Sequence, residues 1–217
     1  MRILLALIAV VLASCIAAPR ASSPPPIPDP EDTASFLVMG GVANCTGTIV
    51  DSPLDTLVVL TARHCLIGEP GAIQIDLKEG RALSWYVDAH DHAIVVTDMP
   101  DDRPGSPLGP RMKPGDDVYS YGNSVFLDLY RRGYVATTGV IGGALNFPGA
   151  PLTVIDITVA EGDSGSGVFN AKGELVGVVS MSLKWGDGVL MAGVLPLAFD
   201  PLELQGVVTR PELYAGM

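Results

Sequence analysis

The sequence is short of charge, of cations above all, and short of histidine. Charged side chains make up 17% of its 217 residues, and 13 Lys and Arg face 24 Asp and Glu for a formal net charge of −11. A chain so acidic has no basic stripe with which to neutralise a phosphate backbone, which argues against nucleic acid as a partner. There are three histidines, His64, His90 and His92, so nothing after residue 92 offers an imidazole. No internal repeat is present, and no convincing 3.6-residue apolar period interrupts the short apolar runs of the folded part, so neither a repeat array nor a helical bundle is expected. What is plentiful is apolar composition (48%) and glycine (25 residues), enough for a buried core in one all-β domain or two small lobes.

The N-terminus reads as processing rather than fold. Met1-Arg2 precedes Ile3 to Ala13, eleven residues without a charge, which is an export signal and too short to span a bilayer comfortably. It ends in Leu12-Ala13-Ser14-Cys15, which resembles the lipobox of bacterial lipoprotein signals and implies acylation at Cys15. The alternative is an ordinary signal cleaved after Ala17 or Ala18, with Cys15 discarded. Three cysteines leave one over if two pair. Cys45 and Cys65 are the natural pair in the folded part, and lipidation gives the spare Cys15 a purpose. A bridge across their interval would contribute on the order of 3 kcal/mol by loop entropy; two free buried thiols would require a reducing compartment. Six prolines between Pro19 and Pro30 make an extended spacer. At about 3 Å per residue it would hold the domain a few tens of ångströms from a membrane. The expected organisation is therefore a signal with lipobox over 1–15, a Pro-rich linker over 16–33 and a folded domain over 34–217, exported and facing the periplasm or the cell exterior, or secreted as a soluble domain.

Short apolar or alternating runs, many of them separated by Gly, Pro and Asp clusters, predict strands at Phe36–Val42, Thr46–Val50, Leu57–Thr61, Ala72–Leu77, Ala82–Val87 and Ala93–Thr97. A second set is predicted at Asp117–Tyr121, Leu129–Val140, Leu152–Thr158, Gly167–Phe169, Leu175–Met181 and Val189–Leu195. Met99 to Pro114, rich in proline, reads as a linker between them. The fold class is all-β: two six-stranded antiparallel β-barrels, about 34–98 and about 115–199, with a cleft between them.

Three places in this frame carry chemistry. Ala160-Glu161-Gly162-Asp163-Ser164-Gly165-Ser166-Gly167 flanks a serine with glycines that allow close backbone approach, so Ser164 can be presented with N–H groups aimed at one point. The bland reading is a Gly/Ser turn between strands. His64, at the end of an apolar strand and beside Cys65, can be held rigidly and still titrate near neutrality, as a general base requires. Asp91 opens the apolar run Ala93–Val96, where a carboxylate must be paired, and the far nitrogen of a catalytic imidazole would satisfy it. Asp88 and Asp98 compete for that role; Asp98 is expected to cap the far end of the strand. A zinc site from His64, His90 and His92 is conceivable, since a His-x-His on a strand points both rings to one face, but no further ligand cluster accompanies them. An α/β-hydrolase needs a histidine after its serine, and none follows Ser164.

The order His64, Asp91, Ser164, with T-A-R-H-C, C-T-G-T-I-V, D-H-A-I-V and G-D-S-G around it, resembles the chymotrypsin/trypsin family of serine proteases, and V-Y-S-Y-G-N and E-L-V-G-V-V-S-M-S resemble the second barrel of HtrA-like bacterial members. The resemblance implies an endopeptidase acting on protein or peptide, with no cofactor and no metal. It implies Ser164 as nucleophile, His64 as general base and then acid, Asp91 as its orienting group, and the N–H groups of Gly162 and Ser164 as oxyanion hole. It also implies that Ser180, Met181 and Ser182 pair with substrate backbone, and that Thr158 and Val159 bound a neutral specificity pocket, against an Arg or Lys preference. There are departures. No Ile-Val-Gly-Gly start is present, so Asp163 must find a partner other than a new amino terminus. Ser166 replaces a glycine, Ala160 stands where many animal members have a cysteine, and Asp200 to Met217 leaves no room for a PDZ domain. The rival expectation is a catalytically inactive protease fold kept as a surface binding module.

Overall fold

The computed structural model describes residues 34–39, 43–66, 72–75, 78–88, 90–100, 103–124, 127–140, 151–185, 189–197 and 206. The segment expected to be an export signal, Cys15 and the Pro-rich stretch lie outside the described residues. Twelve strands form two closed six-stranded barrels. The first holds β1 (Ala34–Met39), β2 (Ala43–Ile49), β3 (Thr56–Ala62), β4 (Ala72–Ile75), β5 (Lys78–Val87) and β6 (His92–Pro100), in the order β1-β2-β3-β6-β5-β4. The second holds β7 (Asp117–Ser124), β8 (Leu127–Val140), β9 (Pro151–Ile155), β10 (Gly167–Asn170), β11 (Leu175–Trp185) and β12 (Val189–Pro196), in the order β10-β11-β12-β9-β8-β7. Every pairing between these strands is antiparallel.

The unbroken apolar character of β3 has a specific cause. Successive side chains on a strand face opposite ways, so a strand that reads as one apolar run is buried on both faces. Leu57 and Val59 turn into the first barrel against Ile49, Ile75, Val95 and Met99. Val58 and Leu60 turn outward, where they meet Ile94 and Val96 of β6 and Phe169, Leu175 and Val178 of the second barrel. The second barrel fills its own interior with Val118, Val135, Ile155, Val168, Val176 and Val194, among others. The barrels thus share a third core between them. Each fully buried Val, Leu or Ile there contributes about 1.5–3 kcal/mol.

The proline-rich crossing is not a free linker. β6 runs on to Pro100, and beyond it the chain is sewn to both barrels. Ser106 N donates to Ile49 O at 2.9 Å and Asp51 N donates to Ser106 O at 3.1 Å; Gly109 N donates to Leu175 O at 2.7 Å and Leu175 N to Pro107 O at 2.8 Å. Prolines 104, 107 and 110 occupy positions that give up no donor needed by this ladder. A side chain at residue 105 would fall 2.3 Å from Asp51 N, which is why glycine stands there. Two further expectations are corrected. β9 ends at Ile155 rather than Thr158: Asp156 N still reaches Tyr134 O at 3.1 Å, but Tyr134 N donates to the Asp156 side-chain Oδ1, which breaks the ladder there. Asp98 caps nothing: it lies within β6, exposed, and accepts from Arg81 N at 2.7 Å and Arg81 Nε at 3.1 Å.

Candidate active site

The site lies where the C-terminal end of β3 meets the loop before β10. β3 runs into a single 3-10 turn, Arg63–Cys65, that carries His64. A disulfide joins Cys65 to Cys45 on β2 and so ties this turn to the barrel wall. His64 remains 45% exposed while Asp91 is 4% exposed. The His64 Nδ1 lies 2.8 Å from Asp91 Oδ2, and the His64 backbone N–H donates to Asp91 Oδ1 at 3.0 Å. Each oxygen of the carboxylate thus holds a different part of the same histidine. Ser180 Oγ donates to Asp91 Oδ2 at 2.5 Å. A bulge between Val179 and Met181 takes Ser180 out of the β11–β12 ladder. Expected from the resemblance to pair with substrate backbone, Ser180 also uses its hydroxyl as a third hold on Asp91.

The serine loop is pinned to the first barrel by backbone contacts. Thr46 N donates to Ser164 O at 2.8 Å and Thr46 Oγ1 to Gly162 O at 2.9 Å. Cys65 Sγ lies 3.8 Å from the same Ser164 carbonyl, so the serine abuts the residue that follows His64. Gly162 has φ 96° and Gly165 φ 87°. At Gly165 a Cβ would lie 2.0 Å from Thr46 O and 2.2 Å from Thr61 Oγ1, so both torsion and space require glycine. Neither the Gly162 nor the Ser164 N–H donates to another of the described residues. Ser166, the other hydroxyl near the site, is fully buried, with no hydrogen-bond partner for its Oγ among the described residues.

Asp163 finds its partner in Arg131 of β8. The guanidinium clasps the carboxylate through Nη1 to Oδ2 at 2.7 Å and Nη2 to Oδ1 at 3.1 Å, with Ser124 Oγ on Oδ1 at 2.7 Å and Ala160 N on Oδ2 at 2.7 Å. Asp163 is 1% exposed and the Arg131 side chain 15%. Sequence reasoning missed Arg131, although a signal was available. Arg131 and Arg132 are the only cations between Lys113 and Lys172, and neighbours on a strand face opposite sides, so one of them had to turn inward.

Of the remaining candidates, Val159 is 3% exposed and packs into the core of the second barrel with Ala192. Thr158 and Ser182 are exposed, and Met181 is half-buried. Ser182 pairs across the ladder with Ala192. The three histidines do not converge. His90, in the turn before β6 and 40% exposed, has its Nδ1 3.9 Å from Asp88 Oδ2, and the buried His92 sets its Nδ1 2.7 Å from the same oxygen, so these two rings meet on one carboxylate while His64 is held by Asp91. No cluster of three metal-ligating groups occurs among the described residues. Burial alone would raise the Asp88 carboxyl; the hydrogen bond and charge of His92, with the amides of His92 and His90, outweigh it and hold the carboxyl below its ordinary value.

Two antiparallel barrels with a histidine–aspartate pair and a glycine-flanked serine at their junction define the double-barrel class of serine proteases. The chain belongs to the trypsin-like peptidase family, whose domain model matches residues 45–178. No curated protein matches it significantly. Among solved structures, the active form of the Rv3671c protease from M. tuberculosis is similar at 20% identity, covering 93% of this chain and 94% of that one with a TM-score of 0.65. The serine endoprotease from Yersinia pestis matches at 19% identity over 83% of this chain and 64% of its own, TM-score 0.62. The HtrA-type protease AlgW with a decapeptide matches at 20% identity over 76% and 51%, TM-score 0.59. At these identities the likeness establishes the fold.

Proposed function

We propose that the protein is an exported serine endopeptidase that cleaves peptide bonds through an acyl-enzyme on Ser164. The observation that carries this reading is the doubly held His64–Asp91 pair beside the serine loop. Asp91 fixes the imidazole with Nδ1–H toward its own carboxylate, which leaves Nε2 as the base. His64 takes the Ser164 proton as the hydroxyl attacks the scissile carbonyl. The carbonyl oxygen becomes an oxyanion held by the N–H groups of Gly162 and Ser164, each worth about 3 kcal/mol in such sites. His64 then protonates the leaving amine, and water repeats the sequence on the acyl-enzyme. Substrate backbone adds to the Ser180–Ser182 segment as a strand. The specificity pocket is assigned to Thr158 and Val159, neither of them a carboxylate, which favours uncharged side chains over Arg or Lys.

An unfolded protein substrate incubated with the chain, with product termini identified by mass spectrometry, tests this reading. Expected are new termini after uncharged residues, absent with Ser164→Ala; no cleavage by a folded, disulfide-bonded parent favours the binding-module alternative. The presence of all three triad residue types weighs against that alternative. Anchoring through acylated Cys15 and the Pro-rich spacer over 16–33 completes the proposal. Incorporation of labelled fatty acid in cells, lost in Cys15→Ala, supports it, and a soluble unlabelled product ends it.

A further inference from the structure

Among the described residues Asp91 alone has a positive φ without being glycine, at 67°. A residue with a side chain holds that torsion only where its surroundings impose it. Here the imposing group is Asp88. Its Oδ1 accepts from His90 N and from His92 N, both at 2.8 Å, which are the amides on either side of Asp91. Its Oδ2 lies 2.7 Å from Nδ1 of the buried His92 ring. The Asp88 N–H donates to His92 O at 3.1 Å, closing the turn, and Asp88 O accepts from Arg63 Nη1 at 3.2 Å. From the other side Arg63 N donates to Asp91 O at 2.7 Å. The residue next to His64 and the residue three before Asp91 therefore grip one turn from its two flanks.

We propose that Asp88 and His92 form a positioning pair whose task is to present the Asp91 carboxylate to His64. The inference rests on the protease reading. Asp91 meets two groups of His64, the ring nitrogen with one oxygen and the backbone N–H with the other, so a rotation about its own φ moves both contacts together. The Asp88 carboxylate has no contact with His64; anchored on His92, it sets the torsion that decides where the second carboxylate points. Asp88 is a positioning residue, and its effect travels through Asp91 to the base.

The test compares the full chain with Asp88→Ala, Asp88→Asn and a control, Val135→Ala, in the core of the second barrel. Asparagine retains one oxygen for the two amides, and its own amide faces His92 Nδ1, which the ring meets by changing tautomer. Alanine retains neither contact. With a fluorophosphonate as probe, the maximal labelling rate of Asp88→Ala falls roughly 100-fold, the size of effect a misplaced catalytic group produces, while the probe's half-saturating concentration stays constant. Asp88→Asn falls between, and Val135→Ala loses stability but not labelling rate. The low-field proton resonance of His64 Nδ1–H shifts or broadens in both Asp88 variants and not in the control. Parental labelling rate and an unmoved resonance in a folded Asp88 variant overturn the proposal, and Asp88→Asn carries the test where Asp88→Ala does not fold. An unreactive parent would sink the protease reading, yet the resonance would still decide the positioning role.

Discussion

Replacing Arg131 by methionine is the perturbation that reaches furthest into the site. Methionine keeps much of the stem and removes the guanidinium, leaving the 1% exposed Asp163 carboxylate with Ser124 Oγ and Ala160 N as its remaining donors. Breaking a buried pair by removing one partner costs about 3–5 kcal/mol, because the other charge stays buried without compensation. The second effect is functional. Asp163 stands between Gly162 and Ser164, whose amides have no acceptor among the described residues, and the carboxylate holds the loop back through Ala160 N at 2.7 Å. If it turns away to reach water, the loop that carries both amides, the proposed oxyanion donors, shifts with it. Loss of one oxyanion donor costs about 100- to 1,000-fold in rate. Urea unfolding followed by tryptophan fluorescence reads the first effect and the fluorophosphonate labelling rate reads the second. The double variant Arg131→Met/Asp163→Asn removes the stranded charge and recovers much of the stability without recovering the labelling rate. Arg131→Met with parental stability and parental labelling would refute the argument that Arg131 holds the loop in place of an amino terminus.

Further outcomes follow from the cores and the ionisable groups. Leu60→Ala, in the core shared by the barrels, destabilises by about 2–5 kcal/mol, and both barrels still unfold in a single transition; a biphasic urea curve would show that the shared core does not couple them. The Asp88 carboxyl is held below its ordinary value of 3.8, so its contribution is full above that pH and is lost as pH falls through its lower folded value. The stability difference between the parent and Asp88→Asn therefore shrinks in acid below about pH 3.8, and a difference that grows there contradicts the assignment. Tyr130 is pushed up to about 12 by desolvation and by neighbouring Tyr119, against the opposing charge of Arg132. Its raised value contributes stability that is full below pH 10 and lost as pH rises through 12. Absorbance titration of the folded protein shows a late phenolate step that Tyr130→Phe removes; an unchanged curve in that variant rules the assignment out.

Much of the fold was legible because its strands obey the two-residue period or are buried on both faces. β3 and β6 read as apolar runs since each serves two cores, and Tyr130 to Ala136 of β8 alternate between exposed and more buried positions. The crossing between the barrels was misread for a physical reason. Proline marks the absence of a donor, but residues between the prolines still donate, and Ser106 and Gly109 do so to opposite barrels. His64, Asp91 and Ser164 could be picked out because a strand end, a strand start and a glycine-flanked turn each leave a local signature. Arg131, Ser124 and Asp88 act through side chains that meet across elements or round a strained turn, and no linear spacing records such meetings. Asp88 competes with Asp91 for the same imidazole on sequence grounds, but in the fold Asp91 takes His64 while Asp88 faces His92 and, at 3.9 Å, His90.

The central claim, that Ser164 is an activated nucleophile, is tested most directly by the intact mass of the protein after fluorophosphonate treatment. The account predicts a single adduct, located on the peptide containing Ser164, absent from Ser164→Ala and much slower to form in His64→Ala. A folded parent with its Cys45–Cys65 bridge intact that takes no adduct, or takes one elsewhere, contradicts it.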